Sequence, residues 1–351
     1  MQKRKELLIA SLVWQWPPGQ LHTLQGEVLK QLGYSHEFFQ LGSPIPPQTD
    51  AIFVQGPYGS LLPLIKQLKE MPSSSRPILV YWFQQSFDLV PYQRVRRLVS
   101  PLFSELDRHF HSGGWARRNL SRVMSRVVAG KGARLGFLGD LLWLHRQGLL
   151  DVLALSSSYY STLLAEYGIS SIVVPRGYHP DYGEILNNER DIAVVWMGKL
   201  RTKRRREAVY WLREQLEKRG LTMHIYDGVE NPFIFGDARM EVLNRTWFVP
   251  NIFFSDPTNE LSIRFYFAAA NGAAVITEPS PHQYRFVPGQ HLVVSSIEEM
   301  PDEIVHYIEH EEEWRLISES MLSHMQTNLR LETSIATIME QAERVLQQIR
   351  Q

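Results

Sequence analysis

The run Ile192-Ala193-Val194-Val195-Trp196-Met197-Gly198-Lys199-Leu200-Arg201-Thr202-Lys203-Arg204-Arg205-Arg206 decides the fold class. Six apolar residues without alternation predict a strand buried on both faces, the signature of a parallel sheet covered by helices. Gly198 ends the strand. The basic run opens a helix from Arg204 to Lys218 that Gly220 closes, and Leu221 to Tyr226 reads as the next strand.

The same unit recurs on both sides. Upstream, strands are expected over Glu6 to Val13, Asp50 to Val54, Pro77 to Phe83, Asp151 to Leu155 and Ile169 to Val174. Helical spacing separates them at Leu21 to Leu32, Leu61 to Leu68 and Tyr159 to Tyr167. Downstream, a short helix over Ala238 to Leu243 precedes a strand at Phe248 to Phe254. A helix over Ser262 to Ala270, a strand at Ala274 to Thr277 and a helical tail from Glu312 follow. Strands alternating with helices predict parallel α/β architecture. The polar stretch Asp181 to Arg190 interrupts the series and marks a junction between two such domains.

Composition narrows the class. The 351 residues are 44% hydrophobic and 21% charged, a globular balance that excludes a disordered or collagen-like chain. No apolar run is long enough to cross a bilayer. Lys plus Arg and Asp plus Glu both total 37, so net charge does not indicate nucleic acid as a partner. Cysteine is absent, which removes disulfides, zinc-thiolate sites and thiol nucleophiles. The start, MQKRKELLIASLVW, imitates a signal peptide, but Trp14, Trp16 and Pro17-Pro18 stand where small residues would be cleaved. A buried first strand and a cytoplasmic address are expected.

Charge is uneven along the chain. Ten Lys and Arg face two acids between Tyr92 and Gly139, and nine acids face Arg315 between Glu298 and Glu319. Residues 115–128 set Leu120, Val123, Met124 and Val127 against Arg117, Arg118, Arg122 and Arg126. Such a helix either covers a core with its arginines in solvent or makes peripheral contact with an anionic membrane.

Several residues carry chemistry by type and place. The glycine and cations after Met197 sit where α/β proteins bind phosphate, at a strand's carboxyl end and a helix N-terminus. An exposed basic turn is the plain alternative. His22, in the first turn of a helix, suits a base or acceptor-orienting group, or is a surface histidine. Asp88 follows a buried strand and is a candidate acid or a helix cap. His109 and His111 lack an evident third ligand, so no metal is assigned. His179 reads as structural. Tyr226-Asp227-Gly228 suits a nucleobase-facing turn but is also an ordinary one.

Four segments together resemble the group 1 GT-B glycosyltransferases, in particular their CgeB-like, spore-maturation-type branch. Gly198-Lys199-Leu200 with Arg204 is similar to that family's diphosphate-binding turn, with both cations exchanged. Arg264-Phe265-Tyr266-Phe267-Ala268-Ala269-Ala270-Asn271-Gly272 resembles its alanine-rich donor-site helix. Val174-Pro175-Arg176-Gly177-Tyr178-His179-Pro180 resembles the segment before the second domain, and Pro17-Pro18-Gly19-Gln20-Leu21-His22 its acceptor-side loop.

The resemblance implies a two-domain GT-B fold, with Rossmann-like parallel sheets facing across a cleft. An acceptor-side domain would occupy 1–183, a donor domain 184–325, and a helix at 326–351 would return to the first domain. It implies a hexosyltransferase-type activity that uses a UDP- or GDP-sugar without metal or other cofactor. The acceptor would be a glycan, a protein or a small molecule. Gly198, Lys199, Lys203, Arg204, Tyr226, Asn259, Glu260, Ser262, Arg264 and Glu278 would bind the donor. Gly19 and Gln20 would form the acceptor-side loop, with His22 and Asp88 catalytic.

Two family glutamates are replaced, by Asn259 and Phe267. Glu260 and Glu278 are the nearest acids, and Glu260 is favoured for the donor ribose. The replacement opens a second reading, a catalytically silent relative that binds a glycan or protein. An epimerase-type GT-B protein is a third. A dehydrogenase is disfavoured, because Trp14 to Leu21 lacks Gly-x-Gly-x-x-Gly.

Overall fold

A computed structural model describes residues 7–15, 19–56, 61–84, 132–186, 188–200, 202–253, 262–280 and 285–351. The chain forms two compact units, Met1–Arg176 with Leu331–Gln351, and Gly177–Arg330.

The first unit is a parallel sheet of order β2-β1-β3-β4-β5-β6. Its strands are β1 (Leu8–Val13), β2 (Ser35–Gln40), β3 (Ala51–Gly56), β4 (Ile78–Phe83), β5 (Val152–Leu155) and β6 (Ile172–Val173). Every residue of β3 and β4 is buried, as their unbroken apolar runs require. Ser35-His36-Glu37-Phe38-Phe39-Gln40 was not read as a strand. Its outward side chains are polar because it is the edge strand beside β1. The strand expected over Ile169 to Val174 shrinks to two paired residues.

Helices α1 (Gln20–Gln31), α2 (Leu62–Glu70), α3 (Gly132–Arg146) and α4 (Ser158–Ala165) connect the strands. The chain's last helix, α10 (Leu331–Arg350), packs on α1, β4 and β5. It buries Ile335, Ile338, Met339, Ala342 and Leu346, and each large apolar side chain so buried stabilises by roughly 1.5–3 kcal/mol. Tyr34 donates to Glu343 at 2.6 Å, and Arg350 pairs with Asp50. These contacts tie the C-terminal half of α10 to the first sheet and α1.

The second unit is a parallel sheet of order β11-β10-β9-β7-β8. Its strands are β7 (Ile192–Met197), β8 (Met223–Tyr226), β9 (Thr246–Asn251), β10 (Ala274–Thr277) and β11 (Val293–Val294). Around it lie α5 (Lys203–Glu217), α6 (Gly236–Asn244), α7 (Ile263–Ala270), α8 (Met300–Glu309) and α9 (Glu311–Asn328). Ala268, Ala269 and Ala270 are fully buried, and their small side chains let α7 lie close to the sheet. Gly272, at φ +71°, turns the chain out of that helix. Asn271 has no exposed surface; its amide donates to Phe267 O at 2.8 Å and Tyr182 O at 3.3 Å.

Strand order reverses between β1 and β3 in one sheet and between β7 and β9 in the other. The carboxyl ends at such switch points are where open α/β sheets bind ligands.

Candidate functional site

Four strand ends of the second unit converge. Gly198 follows β7, Tyr226 ends β8, Ile252 and Phe253 follow β9, and Glu278 follows β10. Gly198 has φ +123°, a conformation that a side-chain-bearing residue adopts only with strain. Its N–H donates to Tyr226 O at 2.9 Å, and its carbonyl accepts the Trp196 indole N–H at 2.7 Å. The turn is thereby fixed on both sides. Lys199 is exposed, its ammonium 5.7 Å from the Phe233 ring centre. Thr202 caps α5 by accepting from Arg205 N at 3.4 Å.

The basic run divides by partner. Lys203 is exposed and pairs with Glu207 one turn on, at 3.6 Å. Arg204 reaches across the sheet end instead. It donates to Phe253 O at 3.0 Å and makes a two-pronged pair with the Glu278 carboxylate. Glu278 is buried and also accepts Phe253 N–H at 2.6 Å. Arg205 donates to Ile252 O at 2.9 Å, with its guanidinium 5.5 Å from the Trp196 ring centre. Arg264 donates to Met197 O at 2.9 Å and to Ser262 Oγ at 3.2 Å, and stacks 4.6 Å from the same indole. Cations at a helix N-terminus oppose its dipole. Here strand-end carbonyls and one carboxylate offset that repulsion for Arg204 and Arg205.

Gly198, Lys199, Lys203, Arg204, Tyr226, Ser262, Arg264 and Glu278 therefore all belong to one sheet edge and the helix starts beside it. Asn259 and Glu260 lie outside the described residues, as do Asp88 and the 115–128 segment. Phe267 is buried against Tyr182, ring centres 5.1 Å apart, and the Arg239 guanidinium lies 3.6 Å from its ring centre. Asp227, buried, accepts Val229 N and Glu230 N at 2.8 Å each and holds the loop after β8. Sequence reading missed Arg205 and the Ile252 and Phe253 carbonyls. Nothing local marks a strand-end carbonyl as an arginine partner.

Solved structures share this architecture over nearly the whole chain. A glycosyltransferase from Rickettsia africae ESF-5 superposes with a TM-score of 0.58 at 9% identity, over 97% of this chain and 99% of that one. Sucrose-phosphate synthase from Thermosynechococcus elongatus gives 0.58 at 11% identity, over 98% and 100%. The fold is GT-B. Anabaena HepE, in complex with UDP and glucose, gives 0.56 at 12% identity, over 98% of this chain and 100% of that one. Residues 201–340 match the family model described as glycosyl transferase-like. No curated protein matches the chain.

Within this GT-B chain the first unit places Gly19 and Gln20 at the start of α1, where Gly19 O accepts His22 N at 2.9 Å. A Cβ on Gly19 would meet nothing within 4 Å, so the loop does not require glycine there. His22 is half-buried, and that burial lowers its imidazole pKa below 6.5. A neutral imidazole at pH 7 is the form that accepts a proton. Among the described residues, no group of three or more His, Asp or Glu is placed to hold a metal. No helix among them is long and apolar enough to cross a membrane.

Proposed function

We propose that this chain is a glycosyltransferase that takes a sugar from a UDP- or GDP-sugar donor. The donor diphosphate lies at the carboxyl edge of the second sheet, and no metal is needed. The convergence of a positive-φ glycine, an exposed lysine and a capped helix N-terminus at the β7/β9 switch point carries this reading. The family match over 201–340 begins after Gly198 and Lys199 and takes in α5 and the ends of β8, β9 and β10, and HepE of the same fold was solved with UDP and glucose. Lys199 and the α5 N-terminus would stabilise the negative charge developing on the leaving diphosphate. Arg204, tethered to Glu278, would present its guanidinium beside them. Neutral His22 would take the proton of an acceptor hydroxyl. Transfer would occur in the cytoplasm.

Calorimetry with UDP tests the site. Lys199 is exposed, with its ammonium over Phe233, so Lys199→Ala should leave the melting temperature nearly unchanged. A charge-assisted contact is worth about 1.5–3 kcal/mol, so UDP affinity should fall roughly ten- to hundredfold. Unchanged affinity removes the site. Turnover lost in EDTA and restored by Mg²⁺ or Mn²⁺ removes metal independence.

Phe267 favours a second reading. Its ring is packed between Tyr182 and Arg239, so that position offers no carboxylate to a ribose. A protein that binds UDP-glucose but neither transfers nor hydrolyses its sugar would be a silent GT-B relative acting as a glycan- or protein-binding module.

A further inference from the structure

The indole of Trp196 joins three elements at the carboxyl edge of the second sheet. Trp196 is the penultimate residue of β7 and is fully buried, in the core cluster that includes Leu200, Val209 and Ile252. Its N–H is the only polar group of the side chain, and it donates to Gly198 O at 2.7 Å. The Arg205 and Arg264 guanidiniums lie over the same ring, 5.5 and 4.6 Å from its centre. Arg205 belongs to the first turn of α5 and Arg264 to the first turn of α7. One side chain therefore meets the turn after β7 and the starts of two helices.

The edge itself explains what this arrangement does. The carboxyl ends of parallel strands present carbonyl oxygens, whose partial negative charge repels an anion. Here four of them are covered by side-chain donors: Gly198 O by the Trp196 indole, Met197 O by Arg264, Ile252 O by Arg205 and Phe253 O by Arg204. A phenylalanine in β7 would bury a ring but leave Gly198 O without this donor. Two guanidiniums brought to one place repel each other. The negative face of a shared indole offsets that repulsion and keeps both at the edge.

We infer that Trp196 is a positioning residue for the donor diphosphate. It acts through others: it holds the carbonyl of the positive-φ Gly198, and it seats the two arginines that cover Met197 O and Ile252 O. The diphosphate rests on the donor reading above; the hold on the turn does not.

Trp196→Phe in the full chain tests this, because it keeps a buried ring beneath the guanidiniums and removes the N–H. Hydrogen exchange over 197–200 should quicken severalfold, with exchange over the rest of β7 and over α5 unchanged. UDP affinity by calorimetry should fall about tenfold, while uridine binding by saturation-transfer NMR stays within about twofold. A merely structural role would weaken both ligands alike and would not move the UDP-to-uridine ratio. Arg205→Met empties one seat on the ring and uncovers Ile252 O. It should weaken UDP severalfold with uridine unchanged, and it carries the test if Trp196→Phe does not fold. Exchange at the turn equal to wild type in Trp196→Phe overturns the inference. So does faster exchange with an unchanged UDP-to-uridine ratio, which leaves Trp196 a structural residue of the turn. Faster exchange at the turn in a chain whose wild type ignores UDP upholds the hold on Gly198 and removes the donor reading instead.

Discussion

Glu278→Gln separates a structural role for this carboxylate from a role in ligand binding. Glu278 accepts the buried Phe253 N–H on one oxygen and two Arg204 nitrogens across both. A glutamine has one acceptor oxygen. It will keep that oxygen on Phe253 N–H, because a buried amide left unmet costs about 1–3 kcal/mol. Its NH₂ then faces Arg204, donor against donor. The Arg204 side chain is 46% exposed and can turn into water, so the repulsion is relieved at the expense of the two-pronged contact. Charge-assisted hydrogen bonds are worth about 1.5–3 kcal/mol, and partial exposure places the loss toward the lower end, about 2 kcal/mol. At roughly 2–4 °C per kcal/mol for a unit of this size, the melting temperature of the transition that includes the second sheet should drop by about 4–8 °C. UDP affinity should fall only modestly, because Arg204 stays charged. Differential scanning calorimetry beside UDP titration reads both quantities. An unchanged melting temperature with tenfold weaker UDP would refute the structural role and make Glu278 the ribose contact.

Two other perturbations follow from packing and protonation. His36 packs on Gly26, and its Nε2 shares a hydrogen bond with Ser11 Oγ at 2.9 Å, a hydroxyl that also receives a Gln25 N–H; burial, aided by Lys30, lowers its pKa from 6.5 to about 4. The unfolded state binds the extra proton between those values, so stability is full above pH 6.5 and falls as pH drops toward 4. The loss approaches about 3 kcal/mol, and urea melts of wild type minus His36→Asn should isolate it. In Gly183→Ala the new Cβ would lie 2.1 Å from the Asn271 amide, which is fully buried. That overlap should cost about 1–3 kcal/mol, and a melting temperature equal to wild type would show that Asn271 can move.

Sequence alone determined the α/β alternation, because side-chain period is a local property. Ile192–Met197 and Ala274–Thr277 are strands with the predicted limits. The turn at Gly198 was legible for the same reason: a glycine after a buried strand needs no distant partner to be recognised. The edge strand Ser35–Gln40 was hidden, since an exposed strand buries no apolar run. Tertiary structure decided which charges meet. Arg204 and Glu278 stand 74 residues apart, and only the order β10-β9-β7 brings their strand ends together. The amide chain from Arg176 through Gln84 to Gln55 likewise spans β3, β4 and the segment after β6. Each of those side chains reads as an ordinary polar residue in isolation. Parallel pairing joins strands separated by whole helices, so the partners of a strand-end residue are set by sheet order and register, which no local pattern encodes.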